Sequence, residues 1–285
     1  MNKKDISYVS HKKKMSFFGH ELIFGERTLI MGILNLTPDS FSDGGDFVSV
    51  DKAVEHAKQM LQEGADIIDI GGESSRPGHT RINAEEELRR VIPVIKRLKD
   101  ETNAIISLDT IRSEVAEEGI KNGVHIINDI WGFQEDEGLA FVAAKYGTPV
   151  ILMHNQNGTE YEGDMVDEIK RFFEKSLKIA KDAGVSDDNI ILDPGIGFGK
   201  TPEQNMVVMS RLGEIKSMGY PVLLGTSRKS MIGKILDLPP KARTEGTIAT
   251  TVLGIVQGVD IVRVHDVLQN LRAAKVTDAI VRGTY

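Results

Sequence analysis

The chain has 285 residues, no cysteine and a formal charge of −7, with a pI near 5.6. Its length allows one large domain or two small ones, with a core that buries roughly three quarters of the surface the unfolded chain exposes. Disulfides and thiolate metal sites are excluded, a cytosolic setting is favoured, the acidic balance weighs against a nucleic-acid binder, and no apolar run approaches the ~18 residues of a membrane span.

The opening MNKKDISYVSHKKK is basic but lacks the apolar core of a signal peptide. Residues 1–16 are expected as a flexible tail and 17–285 as a single domain that starts with a short hairpin in FFGHELIF. Eight apolar, largely β-branched runs follow: TLIMGILN from Thr28, DIIDIGG from Asp66, AIISLDT from Ala104, HIINDIWG from His125, PVILMHN from Pro149, NIILDPG from Asn189, PVLLGTS from Pro221 and DIVRVHD from Asp260. They are continuous rather than alternating, as in strands buried on both faces of a parallel sheet. The intervals between them carry helical faces. Val54, Ala57, Met60 and Leu61 form one, with Gly64 placed to stop it, and Leu88, Val91, Ile92, Ile95 and Leu98 form the next, with a kink expected at Pro93. Ile169, Phe172, Phe173, Leu177 and Ala180 form another, and Val267, Leu268, Leu271 and Ala274 open the last. Eight β-α units predict a (β/α)8 TIM barrel, with an open doubly wound sheet as the alternative.

Each run ends on polar residues. They are Asn35; Asp69, with Glu73 beyond; Asp109; Asn128 and Asp129; His154 and Asn155; Asp193; Thr226 to Lys229; and Arg263, His265 and Asp266. A barrel gathers these ends at one mouth. Asp266, just before VLQNLRAA, reads as a helix cap. The histidines lack the spacing of a three-histidine zinc site. DPGIGFGKT at 193–201 is not a phosphate loop, because the glycine that pattern requires falls on Pro194. Its head, Asp193, is the functional candidate; Lys200 is read as loop exit and Thr201 as the cap of a helix starting at Pro202. Carboxylates with an asparagine suit a flat heterocycle bearing N–H donors. Lys229, Arg263 and His265, with the hydroxyls of Thr226, Ser227 and Ser230 and the start of the helix there, suit an anion such as diphosphate.

NLTPDSFSDGG (35–45), GGESSRPG (71–78), NDIWG (128–132), DPGIGFGKT (193–201), GTSRKS (225–230) and RVHDV (263–267), in that order, resemble dihydropteroate synthase, a pterin-binding barrel family of folate biosynthesis. The resemblance spans about residues 22 to 282. It implies condensation of a dihydropterin-methyl diphosphate with 4-aminobenzoate, with dissociative loss of diphosphate before arylamine attack, in a cytoplasmic, Mg2+-using homodimer that sulfonamides target. By motif match, Asp109, Asp193, Lys229 and Arg263 are the catalytic set. The pterin diphosphate is expected to meet these four together with Ser75, Asn128, Met153, Phe198, Val264 and His265. The aminobenzoate pocket is expected from Phe41, Ser75, Arg76, Pro77, Lys229 and Ser230, partly on two mobile loops, and the Mg2+ contact at Asn35. Ser75 stands where the family pattern usually has threonine. A pterin-dependent methyltransferase and a non-catalytic pterin-binding barrel are the rival readings.

Overall fold

The structure, a computed structural model, describes residues 13–37, 46–73 and 81–283. Strands β1 (Lys13–Phe17) and β2 (His20–Phe24) form an antiparallel hairpin that turns through Phe18 and Gly19. The hairpin starts earlier than the sequence suggested. Residues 13–16, expected in the tail, are strand, because Met15 shares the buried face with Phe17, Leu22 and Phe24.

The remaining described strands are β3 (Leu29–Asn35), β4 (Ile67–Gly71), β5 (Ile105–Asp109), β6 (Ile126–Asp129), β7 (Val150–Met153), β8 (Ile190–Asp193), β9 (Leu223–Leu224) and β10 (Ile261–Val264). They pair in parallel in the order β8-β7-β6-β5-β4-β3-β10-β9, and a parallel bridge between Leu192 and Val222 brings β8 against β9. The sheet is therefore the expected (β/α)8 barrel and not an open sheet. Around it lie α1 (Asp46–Gln62), α2 (Ala84–Glu101), α3 (Ser113–Asn122), α4 (Gly138–Tyr146) and α5 (Met165–Ala183). The ring continues with α6 (Pro202–Ser210), α7 (Leu212–Lys216), α8 (Ser230–Leu236), α9 (Thr244–Val256) and α10 (Val267–Arg282). Gly64, at φ 99°, follows α1, and α2 runs as one helix through Pro93.

Alternate residues of each strand face opposite ways. Ile30, Ile68, Ile106, Ile127, Leu152, Leu192 and Val262 pack outward in one core with Val54, Val91, Val115, Phe173 and Val267 of the helices. Met31, Ile67, Ile105, Ile126, Ile151, Ile191, Leu223 and Ile261 point inward and form a second core with Met15, Phe17, Leu22 and Phe24. The hairpin thus plugs the N-terminal end of the barrel. Each of its four buried side chains contributes on the order of 1.5–3 kcal/mol of apolar burial. The plug covers one end of the barrel and leaves the C-terminal ends of the strands as its mouth.

Candidate active site

Above the apolar floor the inward positions turn largely polar, with Ile33 on β3 an apolar exception. Two residues beyond the floor come Asp69 on β4, Ser107 on β5, Asn128 on β6, Met153 on β7, Asp193 on β8 and Arg263 on β10, with Gly225 just past β9. One step further out are Asn35, Gly71 and Asp109, joined in register across β3, β4 and β5. Two of these places are glycine, and they shape the cavity. A side chain begun at Gly225 would lie 3.9 Å from Asp193 Oδ2 and from Arg263 Cβ. One begun at Gly71 would lie 3.6 Å from Asn35 Oδ1 and 3.8 Å from Asp109 Oδ2. Polar side chains therefore converge around positions that carry none, which leaves room for a flat ligand.

Charge in this layer is paired. Arg263 donates from Nε to Asp69 Oδ2 at 2.5 Å and from Nη2 to Asp109 Oδ2 at 3.0 Å. Asn128 donates from Nδ2 to the same Asp69 oxygen at 3.1 Å. Burial raises Asp109 above the ordinary carboxylate range and Arg263 pulls it back. Burial also raises Asp193, opposed chiefly by Lys229. Lys229 is lowered to about 8 by burial, while Asp193 favours its charged form. Its amine donates to the carbonyl of Ile196 and lies 4.3 Å from the ring centre of Phe198. The carboxylates, Asn128, Lys229, Arg263, Met153 and Phe198 are thus assembled as the sequence suggested, but with Asp69 at the centre of the network.

The loop after β8 holds the wall of this cavity. Asp193 Oδ1 accepts from Gly195 N–H at 2.8 Å. Gly195 has φ 66°, and a Cβ there would sit 1.9 Å from the His154 carbonyl oxygen, so only glycine fits. Thr201 caps α6 in a capping box with Gln204, as expected. Lys200 is not a loop exit. It is buried, and its Nζ reaches His154 Nδ1 at 2.7 Å, the Gly195 carbonyl at 3.0 Å and the Phe198 carbonyl at 3.1 Å. The cause is its position beneath the loop, where an imidazole nitrogen and two loop carbonyls converge on it.

Other expected residues fall elsewhere. His265 Nδ1 lies 2.9 Å from Ser227 Oγ at the rim, and Ser230 is the exposed first residue of α8. Val264 packs in the outer core between sheet and helices, since strand alternation turns its side chain away from Arg263 and out of the cavity. Asp266 precedes α10 without capping it; its carboxylate is drawn to Arg228 and Thr244. Asp129 points outward and accepts from Trp131 N–H and Phe133 N–H, which makes it a turn residue. Glu73 pairs with Arg112. His154 faces Phe172 and Tyr161 rather than the mouth. Phe41, Ser75, Arg76 and Pro77 lie outside the described residues. Asp69 and Lys200 are the two that sequence reasoning undervalued. For Asp69 the available signal was its strand-end position, shared with Asp129, which faces the other way.

Among the described residues no group of three His, Asp or Glu side chains could cage a metal ion. Asn35 offers a single hard oxygen at the mouth, and it and Asp109 are the two that flank Gly71. Such a donor suits Mg2+, which keeps several waters and takes other ligands from substrate phosphates. Asn35 Oδ1 is the atom that would hold the expected ion.

The profile of the family described as "Pterin binding enzyme" matches residues 31–265. The chain is similar to dihydropteroate synthase of Clostridium beijerinckii, at 57% identity over 94% of this chain and 100% of that protein. It is 55% identical to dihydropteroate synthase of Bacillus subtilis, over 91% of this chain and 90% of the other. Among solved structures it resembles the Clostridium difficile dihydropteroate synthase obtained in the presence of pteroic acid, with TM-score 0.89 and 60% identity over 90% of this chain and 98% of that one. It also resembles the Xanthomonas albilineans enzyme with 4-aminobenzoic acid, with TM-score 0.90 and 39% identity over 95% and 98% of the two chains. With a profile match from the first barrel strand to the last and relatives aligned along nearly their whole length, the chain belongs to the pterin binding enzyme family, among its dihydropteroate synthases.

Proposed function

We propose that the chain condenses a (7,8-dihydropterin-6-yl)methyl diphosphate with 4-aminobenzoate to give 7,8-dihydropteroate and diphosphate. The observation that carries this reading is the convergence of Asp109, Asn128 and Asp193 with Lys229 and Arg263 around a gap left by Gly71 and Gly225. Acceptors on one side read the N–H-rich edge of a pterin. Cations on the other hold its oxo group and the diphosphate. A Clostridium difficile relative was solved with pteroic acid, a Xanthomonas albilineans relative with 4-aminobenzoic acid and a Yersinia pestis relative with a sulfonamide drug, which supports the same ligand classes here.

The reaction breaks the bond between the pterin CH2 and the diphosphate oxygen, and the electron pair leaves with diphosphate. Positive charge then spreads from CH2 into the ring. The buried carboxylates of Asp109 and Asp193 stabilise it most as it develops, so they act on the transition state. Arg263 and His265 offset the charge gathering on the leaving group. Mg2+, held by Asn35 and the diphosphate, would supply Lewis-acid neutralisation of that charge. The arylamine nitrogen attacks CH2 and then releases its proton. Because that nitrogen is a weak base, its placement matters more than its deprotonation.

A homodimer in the cytoplasm completes the proposal. Exposed Leu253 on α9 and Val276 and Ile280 on the neighbouring α10 support a second copy docking there. Cysteine is absent, and no described helix is long and apolar enough to cross a membrane. Incubating the purified chain with both substrates and Mg2+ tests the activity: diphosphate and dihydropteroate should appear in equal amounts, and absence of either refutes it. Sedimentation tests the dimer.

A further inference from the structure

Asp69 is fully buried in the barrel interior, in the same layer as Asn128, Asp193 and Arg263. Both of its bonds converge on Oδ2, from Arg263 Nε at 2.5 Å and from Asn128 Nδ2 at 3.1 Å. Oδ1 has no hydrogen-bond partner among the described residues, nor has Ser107 Oγ, its register neighbour on β5. A buried carboxylate paired through one oxygen is a poor way to stabilise a core, where packed apolar side chains do as well or better. Its two partners, however, both belong to the ligand-reading set.

Resting on the pterin reading above, we propose that Asp69 is a positioning residue of the pterin site, fixing the carboxamide of Asn128 and anchoring Arg263 by its Nε. An asparagine amide has nearly the same shape in either orientation, so its polarity toward a ligand must be set by a second group. With Nδ2 held by Asp69, Asn128 presents Oδ1. Together with Asp109 and Asp193 that oxygen makes an acceptor-rich surface, matched to the N–H donors of a ring edge. Arg263 is held at Nε, and because its guanidinium is planar and rigid this also sets where its terminal nitrogens point. In the ligand-free site Nη2 rests on Asp109. A ligand that donates to Asp109 takes that place and frees Nη2 for the ring face or the diphosphate, while Nε stays on Asp69.

Asp69→Asn tests this, since its amide oxygen still accepts while the charge is gone. KM for the pterin diphosphate should rise about tenfold, the scale seen when outer hydrogen-bond partners of site ligands are removed, while KM for 4-aminobenzoate stays within about twofold. Asp69→Leu, which keeps the shape and removes the acceptor, should lose a further tenfold or so, so that Asn partly rescues Leu. The acid limb of kcat/KM should also move. Asp109 touches Arg263 of β10 and feels the charges of Asp69 on β4, Glu87 on α2 and the outward-pointing Asp129 on β6. Removing the Asp69 charge takes a repelling carboxylate away from Asp109 and leaves it the larger share of Arg263, so the limb shifts to lower pH.

A lowered melting temperature with unchanged pterin KM and an unmoved acid limb would overturn the proposal, as would a uniform fall in kcat. Wild-type protein labelled with 15N-asparagine gives an arm free of folding effects: the Asn128 NH2 signals should stay exchange-protected with and without pterin. Large shifts on pterin binding would mean that Asn128 donates to the ligand, contrary to the proposal. If wild type turns over and D69N matches it, the positioning role alone fails; if wild type is inactive, the functional reading fails.

Discussion

Lys200 Nζ lies 2.7 Å from Nδ1 of His154, with both side chains buried beneath the loop that carries Asp193 and Phe198. Burial and the facing cation push His154 down to about 2, so its ring is neutral and Nδ1 accepts. Burial also draws Lys200 down to about 7, with Asp193 pulling the other way. Three acceptors surround Nζ, one for each N–H of an ammonium, which favours the charged form. Lys200→Met should therefore destabilise the protein by about 2–4 kcal/mol, since two loop carbonyls and an imidazole lose a charged donor. It should also raise KM for the pterin substrate by loosening the wall at Phe198. Thermal melts and steady-state kinetics check both; a variant that melts like wild type contradicts the clamp.

Asp193→Asn separates charge from geometry at the head of the same loop. The asparagine oxygen can still accept from Gly195 N–H, which the aspartate does now at 2.8 Å, so the loop should keep its shape. The negative charge facing the developing cation is lost, and kcat should fall about 100- to 1000-fold, the range for removal of one transition-state electrostatic partner. Circular dichroism and melting should match wild type. A kcat within about threefold of wild type would place the charge stabilisation elsewhere.

The outline of this architecture was legible in the sequence because all eight barrel strands are buried on both faces and read as unbroken apolar runs. That same property hid the finer detail. A run apolar on both faces has no alternation, so which of its residues point inward cannot be seen. Asp69 and Asp129 look alike as strand-end acids, yet one faces Arg263 and the other turns outward to Trp131 and Phe133. Val264, carried over by motif match, has its side chain in the outer core. Lys200 and Asp266 were misread because their partners, His154 and Arg228, are distant in the chain. Local rules assign such residues to the nearest turn or cap, and tertiary pairing overrides them.

Lys229 should set the alkaline side of the activity profile. Burial brings it to about 8, so a cation present below that pH is lost as pH rises through it. In wild type kcat/KM for the pterin substrate should fall above pH 8. Lys229→Arg keeps its charge throughout, and its profile should stay flat to higher pH at a lower plateau, because a planar guanidinium cannot reproduce the contact with the Ile196 carbonyl. Rate measurements from pH 6.5 to 10 decide it; an alkaline limb unchanged in the arginine variant would assign the titration to another group.

Asn35 is the protein's expected contact for Mg2+. Asn35→Ala should raise the Mg2+ concentration for half-maximal rate about tenfold, with saturating Mg2+ restoring much of kcat, because the diphosphate supplies other ligands. Chelation should abolish turnover in both proteins. Titrating Mg2+ at fixed substrate measures this; identical midpoints would remove Asn35 from the metal's surroundings.

The last prediction concerns the closed end of the barrel. His125 Nδ1 accepts from Ile106 N–H at 3.0 Å, and its ring packs edge-on against His20 of the hairpin at 4.4 Å between centres. Protonating Nδ1 would set two hydrogens against each other at that bond. Burial, aided by His20 and by Lys99 of α2, holds His125 at about 4, below its usual 6.5. Between those two values the unfolded chain binds a proton that the folded chain refuses, so stability rises with pH across the window and is lost as pH falls through it. His125→Asn retains an acceptor for Ile106 and cannot titrate. Between pH 7 and pH 4.5, wild type should lose about 2–4 °C more in melting temperature than the variant, the shift given by about 1 kcal/mol, which is the linkage left after solvent screening of a half-buried ring. Parallel curves for the two proteins would show that the plug does not sense pH through this ring.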